Sequence, residues 1–469
     1  MNVILYKIYL TAFLLAVTTC ASAKVTLPAI FGDNMVLQQQ TEIKIWGTAK
    51  ENSSITVSAS WENKAHTITA KGSGWSLLLR TPSAGGPYEI EINDGESLFL
   101  RNILIGEVWI CAGQSNMAMP VKGRINQPVL HSNDIIADAF QPEIRLFKVK
   151  ESIAENPQSN CEGQWDLADP QSVKEFSAVG YLYAKILKEK LNVPIGIIQA
   201  AYGATMIESW MSTESLLPFP DINMIDELNL TSSEKNQPSV VFNAMINPLI
   251  GYRIKGILWY QGEQNAANPK GYEKLLPAMV KDWRERWNIG EWPFYYVQIA
   301  PFKYTRAARF VPYLREAQQK AMNEIPNSGM VVSIDAGSPT TVHPPNKLII
   351  SKRLSYWALR NDYGWKGLSC AGPVFKHLEI KGNTAHISFD NALNGLTSYG
   401  EKLQHFEVAG DDKIFYKAEA EITREGIAVQ SSKVAKPAAV RYAFKDFVSG
   451  NLYNTEGLPA APFRTDSWD

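Results

Sequence analysis

The stretch Gly106-Glu-Val-Trp-Ile-Cys-Ala-Gly-Gln-Ser-Asn-Met117 is an apolar run that breaks at Gly113 and delivers Ser115 onto a tight turn. An apolar run ending in Gly-x-Ser-Asn reads as a buried strand leading to a loop at its carboxyl end, where open α/β sheets place their sites. Gly113 permits backbone angles that a side chain forbids, so the chain can turn sharply and leave the Ser115 hydroxyl exposed at the sheet edge. Asn116 and Met117 are expected to begin a helix whose unpaired N–H groups can face a developing oxyanion. Ser115 is therefore the nucleophile candidate. The competing reading of the same residues is an N-capping serine after a core strand.

The surroundings of this stretch are those of an ordinary globular protein. With 469 residues, 45% of them hydrophobic and 20% charged, the chain is long enough for two or three cored domains and too apolar for disorder. A formal net charge of -1 gives no basic excess, so nothing argues for a nucleic acid or an anionic membrane as partner. The 13 Trp and 19 Tyr lean toward sugar stacking, although aromatic cores account for them equally well.

Residues 1–23 are read as a signal peptide. Lys7 precedes the apolar stretch Ile8 to Val17, and Ala21-Ser-Ala23 supplies a small-x-small cleavage site. A lipoprotein reading through Cys20 is disfavoured because Thr19 is bulky for the position before such a cysteine. Cleavage after Ala23 implies a periplasmic or secreted protein with no membrane insertion. Three cysteines then remain, so at least one thiol is free; pairing of Cys161 with Cys370 is left open, and no spacing suggests a metal site.

Three regions follow. From 24 to 104 short alternating runs such as Ile43-Lys-Ile-Trp46 and Tyr88-Glu-Ile-Glu-Ile92 describe an antiparallel β-sandwich region. From 105 to 370 strands alternate with amphipathic helices, expected at Phe176 to Leu191, Tyr272 to Trp287, Leu314 to Asn323 and Lys347 to Arg360. That alternation predicts an α/β domain with a parallel sheet in three layers. From 371 to 469 the pattern returns to β, and no internal repeats or low-complexity runs interrupt it.

Several of the expected strand ends carry glycine or polar groups: Ser115, Gly203, Gln261 with Glu263 and Asn265, then Asp335 after a strand over Met330 to Ile334, and His343. Such ends converge in space in a parallel sheet. A serine nucleophile needs a base within hydrogen-bond reach, an oxyanion donor array and usually a group that orients the base. Of six histidines, His66, His377, His386 and His405 lie in β segments and His131 in a polar loop. His343 follows the last sheet strand and precedes a helix, which makes it the base candidate.

Four ordered blocks carry a resemblance: Gly113-Gln-Ser-Asn-Met117, Tyr202-Gly-Ala-Thr205 with Glu208-Ser-Trp210, Trp259-Tyr-Gln-Gly-Glu-Gln-Asn265, and His343-Pro with Asn346-Lys347. Together they resemble the sialate O-acetylesterase family of SGNH hydrolases, over nearly the whole chain after residue 23. The resemblance implies an SGNH-like α/β/α fold and hydrolysis of sugar O-acetyl esters without metal or organic cofactor. It implies Ser115 as nucleophile and His343 as base, with the oxyanion held by the Ser115 and Gly203 N–H groups and a side-chain amide, Gln261 in preference to Asn265. Gln114, Asn116, Glu208, Asp335 and Thr341 are the expected substrate or supporting residues.

Two positions depart from the family pattern. Thr341 stands where an Asp usually precedes the histidine by two residues, and Gln264 stands where Ser is usual. A threonine can accept from an imidazole but cannot stabilise an imidazolium as a carboxylate does. Glu263 is the preferred substitute carboxylate and Asp335 the second choice, with a Ser-His dyad or an impaired enzyme as the other outcomes. The substrate alternatives are acetylated sialic acid, or xylan or another acetylated glycan. A carbohydrate-binding protein with a decayed site is the non-enzymatic alternative. A sialate pocket calls for a fork-shaped Arg, for which Arg124, Arg145, Arg306, Arg309 and Arg353 are candidates; the oligomeric state is not readable.

Overall fold

In the computed structural model, residues 24–224, 234–304 and 310–468 are described. The strand β1, Ser97–Gly113, organises them. Its first half pairs antiparallel with Gly85–Asn93, while its second half is the centre of a parallel sheet. The boundary expected at 104/105 thus falls inside one continuous strand. The amino-terminal antiparallel strands and the parallel sheet are built on the same piece of backbone.

The other strands of this sheet are β2 (Gln141–Lys148), β3 (Trp165–Ala168), β4 (Ile195–Ala201), β5 (Gly256–Tyr260), β6 (Phe294–Val297) and β7 (Ser328–Val331). Their order is β7-β6-β5-β1-β4-β2-β3, parallel except for the edge strand β3. Strands β4 and β5 are buried at every position, as expected where both faces of a parallel sheet are covered. Alternate residues of β1 accordingly enter two different cores. Trp109 and Cys111 face one with helices α1 (Ala178–Leu191) and α4 (Lys347–Asn361), whereas Val108, Ile110 and Ala112 face the other with α2 (Pro269–Trp287) and α3 (Val311–Ala321). The period of two in one strand thus specifies a three-layer arrangement.

The helices are bounded by local chemistry. Ser177 accepts from the Gly180 N–H at the start of α1, and Asn192 closes it in a left-handed conformation. Asn346 accepts from Ile349 N–H at the start of α4. Past residue 371 two four-stranded antiparallel sheets and a two-stranded one form the carboxyl-terminal part. Among the described residues no helix is long and apolar enough to cross a membrane. Cys111, Cys161 and Cys370 are all free thiols, so the pairing left open by the sequence is not made.

Two local expectations are corrected. No helix follows Ser115; Gln114 O accepts from Met117 N and Ala118 N in one turn, and the chain then leaves it. Pro120 explains this, since it lacks an N–H and disfavours helical backbone at Met119. The last sheet strand ends at Val331 instead of running to Ile334, which leaves Asp335 beyond the sheet.

Gly113 has φ +132°, and a Cβ there would collide with the Tyr260 carbonyl of the neighbouring strand. Gly113→Ala is expected to destabilise the protein by about 3 kcal/mol or more, from combined strain and overlap. Chemical denaturation of the variant measures it; a loss under about 1 kcal/mol would mean that the turn can move aside.

Candidate active site

The carboxyl ends of β4, β1 and β5 lie side by side, with Ala201 and Tyr260 both in register with Gly113. Gln114 N donates to Tyr260 O at 3.0 Å and Tyr202 N to Gly113 O at 2.9 Å, which holds the three following loops together. Gln114 extends this tie, its Oε1 facing the N–H groups of Gly262 and Gln264 at 3.3 and 3.4 Å. Ser115 emerges from the centre of this row, half-buried.

His343 reaches it from the loop before α4. Its Nε2 lies 2.8 Å from Ser115 Oγ, and its Nδ1 lies 2.7 Å from Gln127 Oε1. With the Gln127 carbonyl as acceptor, the bonding assigns the ring proton to Nδ1 and leaves the Nε2 lone pair for the serine O–H. Burial, then Lys347 and Arg124, bring the His343 pKa down to about 4. The imidazole is therefore neutral at neutral pH, the form a general base requires.

Asn116, the residue after Ser115, is fully buried and connects three loops. Its Nδ2 donates to Glu263 Oε1 at 2.6 Å and to Val342 O at 3.1 Å, and its Oδ1 accepts from Lys347 Nζ at 2.6 Å. Burial, opposed by Glu263 and reinforced by Arg124, brings the Lys347 pKa down to about 7. Glu263 thus connects to the Ser115 turn through Asn116, with no direct bond to the imidazole. Thr341 also makes no bond to the ring: its Oγ1 accepts from the His343 backbone N–H at 3.1 Å and braces the loop.

The remaining expected residues lie around this centre. Gly203 borders the serine, since a Cβ placed on it would sit 3.5 Å from Ser115 Cβ. The Gln261 and Asn265 amides, expected at the oxyanion, bond elsewhere in this structure. Gln261 Nε2 donates to Thr205 O and Asn265 Oδ1, and Asn265 Nδ2 donates to Glu208 at 2.9 Å, so this group braces the Thr205–Trp210 loop. From that block it is Glu263 and Gln264 that line the cleft. Asp335 is held in a two-point ion pair with Arg353 at 2.7 and 2.6 Å, which removes both from the list of free groups. Arg145 is buried against Pro142, Asn34 and Asn102, and Arg306 and Arg309 lie outside the described residues.

The cleft over Ser115 has a volume of about 640 Å³. Arg124, Glu151, Lys235, Tyr202, Phe302 and Tyr304 form its walls with the residues already named. Gln127 was missed from sequence, as it lies in the polar segment Gly123-Arg-Ile-Asn-Gln127 with no catalytic signature. Arg124 and Gln127 exchange backbone hydrogen bonds of 2.9 Å across a two-residue turn, with Asn126 at φ 57°. The one available signal was turn chemistry, a Gly and an Asn at hairpin spacing.

A sheet-edge serine paired with a neutral histidine in a cleft is the arrangement of an ester hydrolase. Residues 105–346 match the family model described as carbohydrate esterase, sialic acid-specific acetylesterase, and the chain belongs to that family of esterases. It is 30% identical to the sialate O-acetylesterase of Homo sapiens over 423 residues, which cover 82% of this chain and 78% of the relative. The rat (Rattus norvegicus) sialate O-acetylesterase is 27% identical, with 93% of each chain covered. A crystal structure of a carbohydrate acetylesterase from Xanthomonas citri superposes with a TM-score of 0.86 at 36% identity, covering 95% of this chain and 100% of that one.

The Lys347–Asn116–Glu263 chain is a buried charge network, so its members are expected to be coupled. Lys347→Met and Glu263→Gln should each destabilise the protein by about 1–3 kcal/mol, because each removes one of the two opposite groups that Asn116 bridges in a buried site. The double variant should cost clearly less than the sum of the two. Urea denaturation of the three variants measures this, and additive costs would contradict the coupling.

Proposed function

We propose that this protein is a serine esterase of the SGNH-hydrolase type that removes O-acetyl groups from carbohydrates, with O-acetylated sialic acids as substrate. The observation that carries the reading is the 2.8 Å contact between Ser115 Oγ and His343 Nε2 inside the cleft. His343 takes the Ser115 proton as Oγ attacks the acetyl carbonyl. The oxyanion of the tetrahedral intermediate meets the backbone N–H groups of Ser115 and Gly203. Collapse breaks the bond to the sugar oxygen, which leaves with the proton returned from His343, and water then releases acetate from Ser115 by the same steps.

Arg124 supports the sialate reading. It lines the cleft, and its guanidinium nitrogen Nη1 would lie 3.9 Å from a Cβ on Gly203, beside the reacting centre. A guanidinium there suits the carboxylate of a sialic acid. Glu151 favours a second reading, a neutral acetylated glycan such as xylan, because its carboxylate lines the same cleft and repels an acidic sugar. Export directed by residues 1–23 would place either activity in the periplasm or outside the cell.

Ser115→Ala and His343→Ala should each lower acetate release from p-nitrophenyl acetate by about 10³-fold or more, with unchanged thermal unfolding. Retained turnover in either variant would sink the reading. Arg124→Ala should raise KM for O-acetylated sialic acid about tenfold and leave p-nitrophenyl acetate unaffected, whereas an equal effect on acetylated xylo-oligosaccharide would favour the neutral glycan. Because the imidazole stays neutral until the pH falls to about 4, the acid limb of kcat/KM is expected near that pH and not near 6.5. A rate profile from pH 3.5 to 8 measures it.

A further inference from the structure

We propose that Gln127 is the positioning residue for His343, a neutral side-chain carbonyl standing where a triad usually has a carboxylate. The proposal rests on the Ser-His reading above and adds the group that orients the base. Each carboxylate near the imidazole has another partner or place. Glu263 accepts from Asn116, Asp335 is paired with Arg353, and Glu151 lies on the cleft wall. Gln127 Oε1 alone among the described side chains meets Nδ1, at 2.7 Å, on the ring edge opposite Ser115.

The backbone makes this contact firm. The Arg124–Gln127 turn is closed by two reciprocal hydrogen bonds, and Gly123 N donates to Pro120 O at 2.9 Å. Beyond it, Leu130 N donates to Pro345 O at 2.9 Å, which ties the segment carrying Gln127 to the loop carrying His343. A carbonyl fixed in this way selects the tautomer with its proton on Nδ1, and that tautomer presents the Nε2 lone pair to the serine.

An amide carbonyl fixes the tautomer but brings no negative charge to the imidazolium. The titratable groups facing His343 are Lys347 from α4, Arg124 from the hairpin, Glu263 from the loop after β5, and Glu151, Tyr202, Lys235 and Tyr304 on the cleft walls. The cations Lys347 and Arg124 both disfavour the charged ring. The orienting function and the charge-stabilising function of a triad acid are therefore separable at this position.

The test compares wild type, Gln127→Ala, Gln127→Glu and Ser115→Ala on p-nitrophenyl acetate from pH 3.5 to 8, with thermal unfolding of each. Gln127→Ala is expected to lose about 10²-fold in kcat with KM within about threefold, as for a misoriented base. Gln127→Glu should recover to within about tenfold of wild type and move the acid limb up by about one pH unit, because a carboxylate at Nδ1 stabilises the charged ring. A Gln127→Ala enzyme within about threefold of wild type, or a Gln127→Glu enzyme whose acid limb stays in place, overturns the proposal. Should Gln127→Ala fail to fold, 15N NMR of wild-type His343 decides: a proton on Nδ1 supports the assignment and one on Nε2 overturns it. Full activity in Ser115→Ala would instead overturn the esterase reading itself, whatever Gln127 does.

Discussion

The buried amide of Asn116 is the interaction on which the site depends. One side chain donates to Glu263 and to the Val342 carbonyl while accepting from Lys347. It thereby joins the turn that carries Ser115, the loop after the neighbouring strand and the loop that carries His343. Amide bonds to ionised partners in a dry interior are stronger than neutral ones.

Around that joint the sheet supplies fixed origins. Three parallel strands end in register, and Gly113 lets the central one approach Tyr260 where a side chain could not fit. The side chains that line the cleft then differ only in loop geometry. The same division explains the electrostatics: burial keeps His343 neutral, and Lys347 and Arg124 reinforce it. A histidine in that state stays neutral until the pH falls to about 4.

Much of the fold was legible because parallel strands buried on both faces leave unbroken apolar runs. Ile257-Leu-Trp-Tyr260 and the stretch before Gly113 could be read directly. The convergence of residues was legible where strand ends carry glycine or polar groups: Ser115, Gly203 and His343, each expected at such an end, border one cleft. It was not legible where tertiary packing chose among plausible side chains. Gln261 and Asn265 turn toward Thr205 and Glu208, and Asp335 turns to Arg353, for reasons set by distant loops. Gln127 lies over 200 positions from His343 in sequence, at the separation of 216 residues, in a polar hairpin that local pattern marks only as a turn.

The central claim is that Ser115 is the nucleophile of an esterase, and covalent labelling tests it most directly. The protein would be treated with a reactive organophosphonate ester, its residual acetyl-ester hydrolysis followed in time, and the modified peptide mapped by mass spectrometry. The account predicts modification of Ser115 in step with the loss of activity. Activity that survives complete labelling of Ser115, or inactivation with Ser115 unmodified, would contradict it.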